Sequence, residues 1–428
     1  MADAKPISRN PWAWIPTLYM AEGLPNVIVA SVSVVLYKNL GVSNAAIAFY
    51  TGWLYLPWVI KPLWSPVVDL VKTRRQWIWA MQLLLGAGLA GVAMTIPAPH
   101  FFQLTLAFFW LLSFSSATHD IAADGFYMLA TREREQAFFV GIRSMFYRVA
   151  TIAAQGGLVI LAGKIQARTG NYASAWSMAF ALVAAIYFCL GLYHLFILPL
   201  PPGDQPKLAA PKDFFAEFFN AFAAFFQKPK IVVMLSFILL YRLGEAQLVK
   251  MFQPFLLDPR AAGGLGLTNM QLGHVYGYIG VPMFILGALL GGFAVARHGL
   301  KFWLWPMLLA IHLPDAVFIW LAYAQPENLF ATGAGVAVEQ FGYGFGFTAF
   351  MLYMIRIARG EHQTAHYAIC TGFMALGVML PGMWSGWVQQ HFGYPHFFIW
   401  VMLATIPSFV VATQIPLEAE WGKRNCTN

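Results

Sequence analysis

Apolar stretches close to 20 residues long recur along almost the whole of this 428-residue chain. Each is long enough, as a helix, to cross about 30 Å of hydrocarbon, where no water is present to bond exposed backbone groups. That requirement selects an all-α membrane protein and leaves no room for a sizeable soluble domain. The composition agrees, with 59% hydrophobic residues and only 10% charged ones, together with 37 Phe and 16 Trp.

Loop signals cut the chain into twelve expected transmembrane helices, at about 13 to 37, 44 to 69, 76 to 96, 101 to 129, 138 to 163, 173 to 198, 230 to 256, 269 to 296, 302 to 323, 329 to 355, 364 to 389 and 396 to 414. The longest break follows the sixth helix and contains Pro, Lys and an amphipathic Phe-rich run suited to the membrane surface. The expected organisation is an N-terminal six-helix half over 1–198, a cytoplasmic central loop over 199–229, a C-terminal six-helix half over 230–414 and a cytoplasmic tail over 415–428. The opening MADAKPISRNPWAW lacks the basic start, short apolar core and small-residue cleavage site of a secretory signal, so the first helix is expected to stay in place. Cys189, Cys370 and Cys426 show neither metal-ligand spacing nor a disulfide framework.

With both termini cytoplasmic, most of the 26 Lys and Arg fall in cytoplasmic segments, and only Lys38, Lys164, Arg168 and Arg260 fall in outer loops. This is the asymmetry of the positive-inside rule. It also explains the net charge of +8 as dispersed cytoplasmic rims rather than a nucleic-acid-binding stripe. No Cys cluster, metalloprotease helix or nucleotide loop is present, so neither an enzyme nor a cofactor is expected.

Charges inside the membrane cost about 2.5 to 3.5 kcal/mol each near the bilayer centre and default to functional candidates. Asp120 and Asp124, one turn apart, share a helix face, while His119 points about 100° away. The next helix returns antiparallel with Arg143 and Arg148, and depth matching pairs Asp124 with Arg143 near the rim and Asp120 with Arg148 deeper in. Such pairs serve either to brace the two helices or to couple and gate transport, and the deeper pair is the functional choice. Glu22, between Tyr19 and the helix-bending Gly23 and Pro25, has no base near it in sequence and is a proton-coupling candidate alongside Asp120 and Asp124. Arg242 and Glu245, three apart, form an intrahelical pair, and Lys250 is expected to snorkel to the outer interface. Lys61, between Pro57 and Pro62, either lines the inner vestibule or reaches headgroup water. Gln340 beside Glu339, Asp315 and His274 carry a less specific signal. Tyr50, Trp53 and Trp384 offer flat faces for sugar rings, although most aromatics in such a chain are core or interface belt.

Several motifs carry a resemblance. Trp64 to Arg75, with Asp69 followed by Lys72, Arg74 and Arg75, resembles the loop signature of the major facilitator superfamily, and its copy at Gly291 to Lys301 has Ala296 where the acid would stand. Within that superfamily, YLPWVIKPLWSPVVD, ATHDIAADGF, YRLGEA and TAHYAICTGFMALG resemble, in order and across both halves, the motifs of the AmpG-like branch, which includes acetyl-CoA transporters and siderophore permeases. The resemblance implies a proton-driven importer in the bacterial inner membrane that carries muropeptides or amino sugars recovered from peptidoglycan. Its partners would be a small-molecule substrate, protons and the lipid bilayer, with no nucleic acid, and a monomer is expected. The motif residues carried over are Lys61, Asp69, Thr118 to Asp120, Asp124, Tyr147, Arg148, Arg242, Glu245 and Ala365 to Tyr367. Two positions depart from the pattern: both family glutamines are histidines here, His119 and His366. An imidazole can also take a proton, so these positions point to a different substrate or proton path. Substrate contact is accordingly assigned to His119, Arg148, Tyr19, Tyr50, Trp53, Lys61, Arg242, Glu245, Gln340, His366 and Trp384, and gating to Asp69 and Arg143. A siderophore importer of the same branch, or another sugar or anion symporter, is the alternative.

Overall fold

The computed structural model describes residues 9–131, 133–205, 211–360 and 363–417, and no strand occurs among them. The helices are α1 (Pro11–Asn39), α2 (Asn44–Trp53), α3 (Leu56–Val71), α4 (Arg74–Thr95), α5 (Phe101–Ala130), α6 (Glu133–Ile152), α7 (Val159–Thr169), α8 (Tyr172–Ile197), α9 (Pro211–Phe226), α10 (Ile231–Leu240), α11 (Leu243–Leu257), α12 (Asn269–His298), α13 (Leu300–Ala324), α14 (Leu329–Ala358), α15 (Gln363–Ala404) and α16 (Ile406–Ala412).

Among the described residues, ten helical stretches are long and apolar enough to cross a membrane. The expected helix over 44–69 is divided at Leu54–Tyr55 into α2 and α3, and the expected last two run on as one stretch through Gly393, whose φ of 71° is not helical. The amphipathic run of the central loop forms α9, with Ala221 and Phe225 one turn apart on its buried face and Phe219 and Phe226 exposed.

Local chemistry sets the boundaries. Ser43, Asn171 and Asn328 accept hydrogen bonds from the first turns of α2, α8 and α14, and Thr73 with Gln76 closes a capping box on α4. Gly170, at φ 68°, ends α7 in the left-handed conformation that glycine adopts without a Cβ clash. Three helices widen into π turns, at Ile28–Val32, Ala153–Leu158 and Gly273–Gly280. The bend signal of Gly23 and Pro25 therefore produces no break, since α1 runs through Pro25 and widens just beyond it.

Packing separates two units. The first comprises Met1–Leu36 with Ile60–Phe215, and the second comprises Tyr37–Val59 with Ala216–Asn428. In the first unit α4 packs on α5 and α8, and α1 packs on α6. The α1–α6 approach is close enough that a Cβ on Gly23 would lie 2.9 Å from the Tyr147 carbonyl oxygen. The Asp204 carboxylate accepts from the backbone N–H groups of Arg74 and Arg75, at 2.7 and 3.0 Å, fixing the start of α4 to the chain beyond α8. In the second unit α14 packs on α12 and α13, and α15 on α11 and α2. A Cβ on Gly344 would fall 2.0 Å from the Phe284 carbonyl oxygen, so only glycine permits the α12–α14 contact.

Candidate functional site

Two polar clusters stand out, one in each unit. In the first, α5 carries Asp120 and Asp124 on one face, as the helical period requires. Lys61 reaches Asp120 from α3, with Nζ 2.5 Å from Oδ2, and the two side chains are 24% and 19% exposed. The partner expected for Asp120 from depth matching is Arg148, and the cation seen beside it is Lys61. Depth matching between antiparallel helices fixes the height of a side chain but not its direction around the axis, and it is α3 that presents a cation to Asp120. Arg148 is partly buried on α6.

The expected Asp124–Arg143 pair forms, with Nη2 3.1 Å from Oδ1. Tyr19 completes it, its hydroxyl donating to Asp124 Oδ1 (3.1 Å) and accepting from Arg143 Nη1 (3.0 Å). The guanidinium lies 4.7 Å from the Tyr19 ring centre and 5.1 Å from that of Tyr127. Glu22, one turn beyond Tyr19 on α1, is 8% exposed, lies within electrostatic range of Asp120, Asp124 and Arg143, and has its Oε2 buried without a hydrogen-bond partner among the described residues. The glutamate that stands alone in sequence is thus one of three acids gathered around two bases.

The second cluster sits where α10 gives way to α11. Arg242 leaves helical geometry there (φ −110°, ψ 18°), which places Glu245 in the first turn of α11, where the helix dipole favours an acid. The expected pair is bidentate, Nε to Oε2 at 2.7 Å and Nη2 to Oε1 at 3.1 Å, and Nη2 also donates to the Tyr343 hydroxyl at 2.7 Å. Rings of Tyr343 and Phe347 flank the guanidinium at 5.4 and 5.1 Å. Gln340 donates to the buried Glu339 carboxylate (2.9 Å), and both Asp315 oxygens are buried without a hydrogen-bond partner among the described residues. Lys250 departs from expectation. Rather than snorkelling it is 6% exposed, donates to Thr51 Oγ1 at 2.9 Å and lies 5.3 Å from the Tyr55 ring centre.

The two histidines that depart from the family motifs are held in packing contacts. His119 is fully buried, with Nε2 2.9 Å from Gln82 Nε2, and the Gln82 Oε1 accepts from His194 Nδ1 at 2.7 Å. Thr17 Oγ1, 3.0 Å from His194 Nε2, extends the chain. His119 therefore faces away from the acids, as its position on α5 predicts, and into a column of side chains linking α5, α4, α8 and α1. His366 is buried with Nε2 3.1 Å from the Ala221 carbonyl oxygen, its ring beside Phe225, so it ties the start of α15 to α9. Tyr50, Trp53 and Trp384 are exposed, with Phe49 packed edge-on against the first two. The Asp69 side chain lies outside the described residues.

Several polar residues of these networks gave no warning in the sequence. Gln82 is isolated in an apolar helix, and Tyr343 is one aromatic among many. A further network in the second unit joins Lys38, Asn44, Asp258, Gln389 and Tyr394. Lys38 pairs with Asp258 at 2.5 Å, and the Asn44 amide donates to Gln389 (2.7 Å) and Tyr394 (2.9 Å). The network joins three distant parts of the chain, around Lys38 and Asn44, at Asp258, and around Gln389 and Tyr394, and no local spacing links the three.

Residues 17–380 match the model of the Major Facilitator Superfamily. The chain belongs to that superfamily. As a major facilitator it is a multi-pass membrane transporter and not an enzyme. It is similar to the anhydromuropeptide permease of Escherichia coli, at 24% identity over 415 residues covering 95% of this chain and 80% of that protein. It is also similar to the putative transporter AmpG 4 of Rickettsia conorii, at 23% identity with 92% and 94% covered. Among solved structures, a mutant of the nucleoside transporter NupG matches this major facilitator with a TM-score of 0.70 at 15% identity, covering 95% of this chain and 98% of that one. The inward-open xylose transporter XylE of E. coli matches with a TM-score of 0.66 at 13% identity, covering 95% and 96%.

Proposed function

We propose that this major facilitator is a proton-coupled importer of a peptidoglycan-derived muropeptide or amino sugar, working in the inner membrane of a bacterium. The observation that carries the coupling is the first unit's cluster, in which Glu22, Asp120 and Asp124 gather around Lys61 and Arg143. Asp120 and Asp124 are paired with the two bases, and Glu22, in no ion pair among the described residues and close to both acids, is the carboxyl that can hold a proton there. A proton arriving there competes with Lys61 for Asp120, so proton binding and the ion pair between α3 and α5 are linked. The substrate class is supported by the similarity to the anhydromuropeptide permease and by the motifs shared with its branch.

The test is uptake into vesicles under an imposed proton gradient, offered anhydro-muropeptides, simple amino sugars and ferric siderophores in parallel. Accumulation of an anhydro-muropeptide or amino sugar that collapses in Glu22→Gln and Asp120→Asn is the expected result. Normal gradient-driven uptake in both variants removes the acids from the coupling role, and uptake of the iron chelate alone removes the substrate.

A further inference from the structure

Among the intramembrane cations with described partners, Lys61 pairs with Asp120, Arg143 with Asp124 and Arg242 with Glu245. Lys250 breaks the pattern. It is 6% exposed, and no carboxylate among the described residues lies within 4 Å of its Nζ. Its polar partner is Thr51, whose hydroxyl donates to the Ile47 carbonyl oxygen at 2.6 Å and so offers Lys250 only a lone pair. The Tyr55 ring supplies an electron-rich face at 5.3 Å but no negative charge. An ammonium has three N–H donors and Thr51 takes one, which leaves two to be filled. A buried cation without a carboxylate in reach is costly, and an arriving negative charge offsets that cost.

We propose that Lys250, positioned by Thr51 and Tyr55, is the binding point for a carboxylate on the transported substrate. The carboxylate accepts the two open N–H groups and supplies the missing charge. Neutral sugars without an acid group lack that interaction, which makes Lys250 a specificity residue for anionic cargo. This inference rests on the transporter reading above and narrows the substrate to a carboxylate-bearing one.

The experiment compares an anhydro-muropeptide carrying free carboxylates with the same compound fully amidated, on the purified full-length protein. Binding is followed by calorimetry and thermal stabilisation in wild type, Lys250→Met and Lys250→Arg. Lys250→Met removes an uncompensated buried charge and orphans no partner, because Thr51 keeps its bond to Ile47, so it is expected to melt no lower than wild type. Wild type should bind the acid about 10- to 100-fold more tightly than the amide. Lys250→Met should bind both forms like the amide, and Lys250→Arg should keep part of the preference. A wild type that does not distinguish the two forms, or a Met variant that still does, overturns the inference. If wild type binds neither form, the muropeptide reading falls, and lactate at millimolar concentration becomes the probe. Stabilisation of wild type but not Lys250→Met then upholds the carboxylate site, and equal or absent stabilisation of both sinks it.

Discussion

The bases of the first unit's polar cluster are each held by a carboxylate, whereas the second unit, among the described residues, keeps one buried base without a carboxylate beside it. Lys61 pairs with Asp120 and Arg143 with Asp124, with Glu22 close by, while Arg242 pairs with Glu245 and Lys250 meets Thr51 and the Tyr55 ring. A buried acid without a base of its own holds a proton, and a buried base without a carboxylate attracts an anion. On the two proposals above, proton coupling falls to side chains of the first unit and the anionic group of the cargo to a side chain of the second.

The sharpest way to break this division is Asp120→Asn. It removes the partner of Lys61 and an acid neighbour of Glu22, and gradient-driven uptake should fall at least about 100-fold, as for loss of a charge-assisted interaction worth about 3 kcal/mol. Arg242→Lys comes next. A point-like ammonium cannot reproduce the two bonds to Glu245 and the one to Tyr343, so substrate affinity should fall about tenfold while counterflow coupling persists. If coupling is lost instead, the division between the units is wrong. Lys61→Met combined with Asp120→Asn should recover much of the stability lost in either single variant, read as melting temperature in detergent, because no half of the pair is left buried alone. Uptake in that double variant should stay uncoupled. Arg143→Lys, at a partly exposed pair, should cost about 1 kcal/mol of stability or less. The smallest effect is expected for His119→Gln, whose amide can meet Gln82 as the imidazole does, leaving transport within about twofold of wild type. A large change in substrate preference there would return His119 to the binding site.

Much of the fold could be read from the chain because hydrocarbon imposes one rule on every segment. Apolar length, caps such as Thr73 and Gln76, and terminators such as Gly170 all act locally. The candidate site was legible where its members lie on one helix or at matched depth on consecutive antiparallel helices. Arg242 with Glu245 follows from a three-residue spacing, and the shared face of Asp120 and Asp124 from the helical period. The pairing of Asp124 with Arg143 needed only depth. Asp120 needed direction around the helix axis as well, which depends on how α3 packs against α5 and is invisible in either segment alone. Lys250 shows the same limit from the other side. Its position in the sequence suggests an interface lysine, and only the approach of α2 reveals that Thr51 and Tyr55 close over it.

The three π turns, at Ile28–Val32, Ala153–Leu158 and Gly273–Gly280, have a consequence for descent. Each widened turn holds one residue more than an α-helix would need to span the same rise. Deleting that residue restores the regular ladder without shifting the flanking helix ends along the membrane, so these are the places inside the spans where a one-residue gap is tolerated. Alignments with relatives should therefore place single-residue gaps at these turns, whereas the same deletion in a regular stretch would present every residue beyond it to a different neighbour, rotated by about 100°.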